Sequence, residues 1–459
     1  MNRYFIFLLL PANVMGAVPV EPNLATAIST PGNYQAPTPA IPNPGIIISD
    51  IPGEPAAPFF DGSNFKERYV CSQLKVEKSD FFTQPGIFPS MHYHTIIGNT
   101  GSNKDSTKVT TFTTGGSTCS GWNDLRSAIW EPTLYNGVTG DIKNLVNAVL
   151  YYSAPKDATK ATLVKKYGDG LQMIAGNTLG NAIGGFNDKN GITRFQCLAR
   201  GGFPSSLTTN PTVYLQNCQY GSDMQVAVKF PECWDGVTEV INGKTYAKGS
   251  ANHKAHMAYS SDITKAPYTI KQITHVGNVA TVTLAYWSNS NSVWVPINHG
   301  LTTGRKIIIS GVTGSSSSLY NTGQVPVTVT GETTFTYVMT GTPTTPAVLS
   351  NASKANVPSV ANGCPVEYPI RGYEVAIHYN YRVNPTDNFA QLLLDSDMYL
   401  KNDTNWLTKT RGLTLHGNYG DGVSDKVKTM VIENVIKPHL NGNVGLLGMD
   451  TDGQLKRLR

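Results

Sequence analysis

One motif of this chain is split by a long insertion, and the split constrains the fold more than any other feature. The segment Phe230–Gly236 reads Phe-Pro-Glu-Cys-Trp-Asp-Gly and leads to His253 and His256. Its continuation, Cys364-Pro365, follows only after a β-rich stretch of different composition. A Trp beside a Cys packs against or recognises a ring, and paired imidazoles ligate, shuttle protons or bind polar ligands. The sequence therefore predicts a polar-site scaffold with a second, adhesive or structural, module inserted into it.

Length and composition favour a β-rich protein that is exported or part of a particle. A chain of 459 residues can bury at least one large core. Charged residues are only 15% of the total, and no Lys/Arg block of the kind that follows a phosphate backbone is present, so we expect no nucleic-acid partner. The 44 glycines, 22 tyrosines and abundant Thr, Ser, Asn and Val are typical of an all-β, turn-rich protein of secreted or virion type.

The N-terminus carries an apolar run, Tyr4–Leu10, that ends in small residues at Gly16-Ala17. The run is too short to span a bilayer, so no membrane span is predicted. Two interpretations stay open: a cleaved export leader, and a retained hydrophobic plug that docks into a partner.

Six cysteines are scattered through the chain: Cys71, Cys119, Cys197, Cys218, Cys233 and Cys364. None forms a Cys-x-x-Cys pair, which argues against a cysteine-based zinc site. The even number favours three disulfides over buried free thiols, and the spacing does not choose among the possible pairings.

Changes in composition predict the domain boundaries. Residues 1–60 form a hydrophobic N-terminus and a proline-rich arm, which is either a spacer or an extended arm lying on a neighbouring subunit. Residues 61–268 and 351–436 form the two parts of an all-β, jelly-roll-like β-sandwich, and residues 269–350 form an inserted small β-domain. Residues 437–459 form a C-terminal surface tail.

Strand patterns support this division. Met224–Phe230 and Tyr373–Tyr379 read as strands of the sandwich. In the insert, alternate residues from Ala280 to Leu284 share one strand face, and Pro326 marks a further run as an edge strand. The insert has few charges and no cluster of acid, base or nucleophile, so a structural or adhesive role is predicted for it.

Two close pairs of histidines mark the predicted site. His92 and His94 lead into a predicted strand, where residues i and i+2 share a face. His253 and His256 converge if their segment is helical or tightly turned. Three interpretations stay open: a polar ligand pocket, a bound metal, and structural hydrogen-bonded histidines. We predict no metal, because no His-Glu-x-x-His motif, two-His-carboxylate spacing or cysteine ligand accompanies the pairs.

Carboxylates could complete this site as acid and base. The candidates are Asp235, Asp395, Asp397 and Asp421, and a glycosidase would need two of them at a defined separation. Each could equally cap a turn, and the Asp-Gly pairs at Asp235 and Asp421 favour that interpretation. No nucleophile elbow, P-loop or dinucleotide fingerprint is present, and no catalytic residue or cofactor is assigned. The predicted ligand-binding residues are His92, His94, Trp234, Asp235, His253, His256, His416 and Asp421.

A series of motifs carries a family resemblance. In chain order they are Met91-His92-Tyr93-His94, Ile129-Trp130-Glu131-Pro132, Phe195-Gln196-Cys197, Phe230–Gly236, His253–Tyr259, Cys364-Pro365 and Leu415-His416-Gly417. The series is similar to DUF1996, a family of unknown function found in secreted fungal and bacterial proteins, often beside carbohydrate-binding WSC modules. The resemblance implies a secreted, disulfide-containing β fold and no assigned activity. The long insert and the proline-rich arm depart from the family pattern.

The insert resembles a second group of proteins. The segments Asn298–Gly304, Ile307–Gly311 and Thr334–Tyr337 look like small β modules of tailed-phage structural proteins. We therefore predict a virion accessory or tail protein that presents a carbohydrate-binding sandwich for host attachment. Its expected partners are a host-surface glycan, other virion proteins contacted through the N-terminal arm, and further copies of itself in a homo-oligomer. A secreted polysaccharide hydrolase that uses Asp235 or Asp421 is the alternative, and a purely architectural role is a third. The expected location is the virion or the extracellular space.

Overall fold

The computed structural model describes most of the chain between residues 66 and 432, with short segments outside that range. The described residues are 18–29, 66–109, 115–120, 125–155, 157–176, 192–198, 218, 220–248, 256–260, 267–297, 299–396, 402–405, 407, 416–423, 425–432, 446–449 and 455–458. The apolar N-terminal run and most of the proline-rich arm lie outside these residues.

The described residues are mainly β-strands, which confirms the all-β prediction. In chain order the strands are β1 (Lys66–Cys71), β2 (Gln73–Glu77), β3 (His94–Gly98), β4 (Ala128–Pro132), β5 (Leu134–Asn136), β6 (Asn147–Ser153), β7 (Gln172–Gly176), β8 (Thr193–Leu198), β9 (Asp223–Lys229), β10 (Cys233–Trp234), β11 (Thr238–Ile241), β12 (Lys244–Ala247), β13 (Met257–Ala258), β14 (Tyr268–Val276), β15 (Val279–Ser288), β16 (Val293–Pro296), β17 (Lys306–Ser310), β18 (Val325–Gly331), β19 (Thr334–Val338), β20 (Lys354–Asn356), β21 (Ile370–Arg371), β22 (Glu374–Arg382), β23 (Leu392–Leu394), β24 (His416–Gly420), β25 (Leu446–Met449) and β26 (Leu455–Leu458).

Helical segments in the described ranges are short. They are Leu24–Thr26, Ala158–Ala161, Ser317–Tyr320, Phe389–Gln391 and Asp425–Val431. Within the same ranges, no helix combines the length and the apolar character needed to cross a bilayer.

The largest sheet outside the insert has seven strands in the order β26-β25-β1-β6-β22-β9-β8. The predicted strands Met224–Phe230 and Tyr373–Tyr379 are confirmed as β9 and β22, which pair antiparallel along their length. The predicted C-terminal tail contributes β25 and β26 to one edge, where β25 runs parallel to β1.

A second sheet has five antiparallel strands in the order β2-β3-β4-β24-β7. Ile97, Ile129 and Tyr419 of this sheet share a core cluster with Tyr152 and Ile377 of the seven-stranded sheet. Because side chains alternate along a strand, the neighbouring residues of β3 and β4 face the opposite way. One face of the five-stranded sheet therefore packs on the shared core, and the other face points away from it.

The opposite face of β3 and β4 is covered by a loop. Ile96 and Trp130 pair across the two strands and join a smaller buried cluster with Phe81 and Phe82. The Trp130 ring lies 4.5 Å from that of Phe81 and 4.2 Å from that of Phe82, measured between ring centroids. The loop that carries Phe81 and Phe82 therefore packs on the outer face of the sheet, next to His94.

Six strands between residues 268 and 356, which include the predicted insert and β20 just after it, form a closed barrel. The strands pair in the cycle β14-β20-β17-β18-β19-β15, and β15 closes the ring on β14. The predicted alternation is confirmed, since Ala280, Val282 and Leu284 are fully buried and lie in one core with Phe335 and Tyr337. β16 pairs with β15 outside the ring and forms its own edge.

The predicted edge strand at Pro326 is wrong. β18 pairs with β19 on one side and with β17 on the other, because the ring has no free edge at this point. Proline is tolerated since its missing N–H is not needed: the neighbouring Val327 N–H donates to the Arg305 carbonyl at 2.9 Å.

All six cysteines are paired, as Cys71–Cys119, Cys197–Cys218 and Cys233–Cys364. This confirms the prediction of three disulfides. Disulfides persist in oxidising compartments, so they indicate an extracellular or secreted protein. The third bond joins Cys233, which precedes β11 to β13 and the barrel, to Cys364, which follows shortly after the barrel.

Candidate functional site

Two histidine rings lie in contact where β3 begins. The ring centroids of His92 and His94 are 4.4 Å apart, and the His94 ring meets the edge of Trp130 at 5.7 Å. His94 is fully buried, whereas His92 is partly exposed. The sequence places them here because the β-branched residues that follow His94 favour a strand, and a Pro and a Ser precede the pair. We call this place, made of His92, His94 and the residues that hold them, the histidine end of the sheet.

Asp395 holds the backbone between the two histidines. Its Oδ2 atom accepts a hydrogen bond from the Tyr93 N–H at 2.6 Å, and its own N–H donates to the Thr133 carbonyl at 2.9 Å. Asp395 is itself fully buried. One of the candidate carboxylates is therefore beside the histidine pair, where it fixes the chain, while Asp397 lies outside the described residues.

His416 belongs to the same end of the sheet by register. Asn418 of β24 pairs with Trp130 of β4, and Trp130 pairs with Ile96 of β3. His416 lies two residues before Asn418, and His94 lies two residues before Ile96. Both histidines therefore begin strands that run parallel to each other, one on each side of β4. Sequence reasoning named His416 but could not find this register, because the three strands are far apart in the chain.

Apolar side chains are exposed directly before His92. Ile87, Phe88 and Met91 expose between 55% and 63% of their surface. The Lys78 ammonium lies 4.6 Å from the centroid of the Tyr93 ring, at the other border of the pair. A partly exposed imidazole thus follows an exposed apolar segment in the chain and precedes a tyrosine that carries a cation, and this combination suits a ligand with both apolar and polar faces.

A second polar pair lies on the three-stranded sheet β13-β10-β21. The His256 Nδ1 atom is 2.6 Å from Asp235 Oδ2, and the Asp235 N–H donates to the His256 carbonyl at 3.2 Å. Asp235 Oδ1 also accepts from the Val237 N–H at 2.9 Å, across the positive φ of Gly236. The turn interpretation and the site interpretation of Asp235 are thus compatible, since one oxygen caps the turn and the other orients the imidazole.

Trp234 supports this pair from within the core. Its side chain is 6% exposed and its Nε1–H donates to the Lys248 carbonyl at 3.1 Å. A ring in this setting packs and offers little face to a ligand. The histidine that sequence reasoning paired with His256, His253, lies outside the described residues.

Asp421 is engaged inside the protein. It is fully buried, its Oδ2 atom lies 2.7 Å from the Lys428 ammonium, and its Oδ1 atom accepts from the Tyr419 hydroxyl at 3.1 Å. Burial lowers the pKa of Lys428, but the Asp421 carboxylate outweighs it and the pKa is raised. This pair therefore reads as a buried ion pair of the fold.

The structure separates the predicted site residues into three places. His92 and His94 lie at the histidine end with His416 on a strand that starts at the same level, Asp235 and His256 lie on another sheet, and Asp421 lies in the core. In the described part of the chain, no group of three or more His, Cys, Asp or Glu is arranged to hold a metal ion.

Sequence reasoning missed one buried acid near the histidine end. Glu131 on β4 is fully buried and accepts a hydrogen bond from the Tyr381 hydroxyl. Burial raises the pKa of Glu131 well above its usual value, although the Tyr381 hydrogen bond acts in the opposite direction. The available signal was a single acid in the otherwise apolar strand Ala128–Pro132.

The comparisons with known proteins agree with part of this picture. Residues 80–293 match the family model described as "Domain of unknown function (DUF1996)", so the chain carries such a domain there. The match includes His92, His94, Asp235 and His256 and ends within the β15–β16 hairpin. No curated protein and no solved structure matches the chain. Nothing supports a phage structural module in the insert.

Proposed function

We propose that this chain is an extracellular carbohydrate-binding protein and that the histidine end contacts the sugar. The observation that carries the proposal is the pair of touching imidazoles, His92 and His94, next to the exposed Phe88. Sugars present apolar C–H faces and a rim of hydroxyl groups. An aromatic face such as that of Phe88 binds the first, and the partly exposed His92 imidazole bonds the second, while the buried His94 packs behind it.

The wider setting predicted from the sequence belongs to this proposal. It comprises a jelly-roll-like sandwich, a role as a virion accessory or tail protein in host attachment, virion partners of the N-terminal arm and a homo-oligomer. The virion setting rests on the resemblance of the insert alone. The three disulfides support the extracellular part.

The test is a glycan array followed by titration of the oxidised, full-length protein with the best-bound oligosaccharide. Phe88→Ala and His92→Ala should each weaken binding by about tenfold, the size expected for losing one well-placed aromatic or hydrogen-bonding contact. Val240→Ala, at a 70% exposed position on β11, is the control and should bind like the wild type. Unchanged affinity in both site variants, with melting temperatures like the wild type, would reject the histidine end as the sugar site.

A polysaccharide hydrolase is the second candidate, and the Asp235–His256 pair favours it. Because the carboxylate faces Nδ1 of His256, Nε2 is the nitrogen that can exchange a proton with a substrate. His256 and Asp235 side chains are 20% and 16% exposed, so the imidazole is reachable from solvent.

Release of reducing ends from polysaccharides would reveal this activity. His256→Ala and Asp235→Asn should then each lower kcat by about 100-fold or more, since both remove the oriented imidazole. Asp157→Asn, at an acid outside both candidate sites, should leave kcat unchanged. An inactive wild type across neutral and acidic polysaccharides would leave binding as the supported function.

A further inference from the structure

The β15–β16 hairpin carries the most exposed aromatic surface of the barrel. Trp287 and Trp294 expose 48% and 41% of their surface, and Tyr286 exposes 49%. Trp287 pairs with Trp294 across the two strands, and their rings meet edge to face with centroids 5.7 Å apart. The edge-to-face contact stabilises the hairpin, yet it leaves ring surface open to solvent.

The hairpin extends beyond the barrel that supports it. β16 pairs with β15 only, while Leu284, one residue before the first of these pairs, is fully buried in the barrel core. From Tyr286 onward, side chains on both faces of the two-stranded ribbon are exposed. Contiguous exposed aromatic surface of this kind often marks a binding site, whereas single exposed apolar residues do not.

The hairpin itself and the segments that flank it in the chain carry no charge. Residues 272–304 contain no Asp, Glu, Lys or Arg. The connecting turn is built of Ser and Asn, its residues 289–292 are exposed, and the Ser288 and Ser290 hydroxyls lie 3.1 Å apart. The rim around the two rings therefore offers hydroxyl and amide groups, which can hydrogen-bond the hydroxyl groups of a sugar.

The barrel wall that leads to the tryptophans is rich in hydroxyl groups, and the charged residues beside it are Lys271 on β14 and Glu332 in the β18–β19 turn. By strand alternation, Thr283 and Trp287 share the outer face of β15. The threonines of this face pair across strands and are partly or fully exposed: Thr281 with Thr336, Thr283 with Thr334, and Thr328 with Thr336. The aromatic pair thus lies at the end of a surface rich in hydroxyl groups.

We propose that the outer face around Trp287 and Trp294 binds a neutral saccharide, as a carbohydrate site separate from the histidine end. The indole faces would stack on the C–H faces of sugar rings, and the Ser, Asn and Thr groups would bond the hydroxyls. The absence of charge on the hairpin favours an uncharged glycan over a uronic-acid or sulfated one. The proposal shares only its ligand class with the proposed function.

The experiment titrates the full-length, oxidised protein with cellohexaose, mannohexaose and N-acetylchitohexaose, with polygalacturonate as the acidic comparison. The variants are Trp287→Ala, Trp294→Ala and Trp287→Tyr, and Tyr220→Ala, at a 71% exposed aromatic position elsewhere, is the matched control. Each Trp→Ala change should weaken binding to a neutral hexasaccharide by about tenfold, while Trp287→Tyr keeps an aromatic face and loses less. The control should bind like the wild type.

The outcomes separate this site from the histidine end. Loss of affinity in the Trp variants with unchanged affinity in His92→Ala supports the hairpin site and counts against the histidine end, and the reverse pattern does the opposite. Wild-type binding to polygalacturonate alone, or to none of the probes, overturns the neutral-saccharide proposal. So does concentration-dependent dimerisation that the Trp variants abolish, since the occupant would then be a second copy paired at the β16 edge.

Discussion

The barrel and the disulfide-bonded region bury different kinds of groups. The barrel core is formed by aliphatic and aromatic side chains such as Val282, Ile307 and Phe335, and the buried Arg305 lies at its border, 5.2 Å from the Tyr368 ring. The region outside the barrel has a larger apolar core, but it also encloses charges, among them Glu232, Arg371 and Glu374, each 1–2% exposed. All three disulfides lie outside the barrel as well.

The buried charges form one network beside the Cys233–Cys364 bond. Arg371 Nη2 lies 3.1 Å from Glu374 Oε1 and 3.9 Å from Glu232 Oε1, and the Lys229 ammonium lies 3.0 Å from Glu374 Oε2. Burial would raise the pKa of Glu232, but the charges of Lys229 and Arg371 outweigh it and lower that pKa. The Glu232 carboxylate is thus held ionised by the cations around it.

The difference follows from how each region satisfies its backbone. A closed ring of strands pairs its backbone groups within itself and encloses a single apolar core, so it needs no cross-link. The other region is divided among several sheets with long connections, and its parts are held in place by disulfides and ion pairs. We infer that the barrel can carry exposed aromatic residues without loss of its fold, while the other region places polar groups at its strand ends.

The largest expected effect comes from breaking the charge network. Arg371→Ala leaves Glu232 and Glu374 buried with only Lys229 to balance them, and should cost about 3–5 kcal/mol of unfolding free energy. Urea unfolding at neutral pH measures the loss. Hydrogen exchange should show that β22 and β9 lose protection while β15 and β19 of the barrel keep theirs.

Arg382→Ala is the matched control for this change. Its partner is Asp223, and the two side chains are 35% and 23% exposed, so the loss should be within about 1 kcal/mol. Equal losses in the two variants, or equal loss of protection in the barrel strands, would contradict the contrast between the regions.

The next effect comes from the disulfide that brackets the barrel. Replacing Cys233 and Cys364 together by Ser releases a cross-link with a sequence separation of 131 and should cost about 2–4 kcal/mol. The loss should again fall on the region outside the barrel, because the barrel core includes neither cysteine. Lower hydrogen-exchange protection of β15 and β19 in this variant would show that the stability of the barrel depends on the disulfide.

Alternation and turn composition were sufficient to predict a small β-domain in the insert, but not that it closes into a barrel. The pattern Ala280-Val282-Leu284 identified the buried face of β15, because each strand has one face to the core and one to solvent. The same reasoning failed at Pro326, since sequence shows that a proline cannot donate to a ladder but not that the neighbouring Val327 donates in its place. Closure of the ring depends on pairing between distant strands, which local patterns do not encode.

The candidate site was predictable only in its short-range parts. The contact of His92 with His94 follows from their spacing, whereas the position of Asp395 beside Tyr93 and the level of His416 depend on pairing across hundreds of residues. The Asp235–His256 pair also needed the register of β10 with β13. Residue types signalled polar chemistry, and the topology decided which polar groups meet.

The smallest expected effect concerns the protonation of Glu131. Its folded-state pKa lies well above the ordinary value of 4.5, so above that pH the unfolded chain releases a proton that the folded chain retains. Stability of the wild type should therefore fall as pH rises from about 4.5 toward the folded-state pKa. Glu131→Gln keeps an oxygen that accepts from Tyr381 and does not titrate, so the variant should gain stability relative to the wild type over this range. Below it, the difference should stay constant.

Urea unfolding of both proteins between about pH 4 and pH 8 tests this expectation. Asp157→Asn is a control with the opposite sign. The Lys160 N–H hydrogen bond lowers the pKa of the exposed Asp157 carboxyl below 3.8, so replacing this carboxylate should slightly destabilise the protein at neutral pH. If the difference in unfolding free energy between Glu131→Gln and the wild type does not change with pH, Glu131 is not held protonated in the fold. The buried Glu131 would then be ionised next to Tyr381. The contrast between an ion-paired network around Arg371 and a protonated acid near the histidine end would then be wrong.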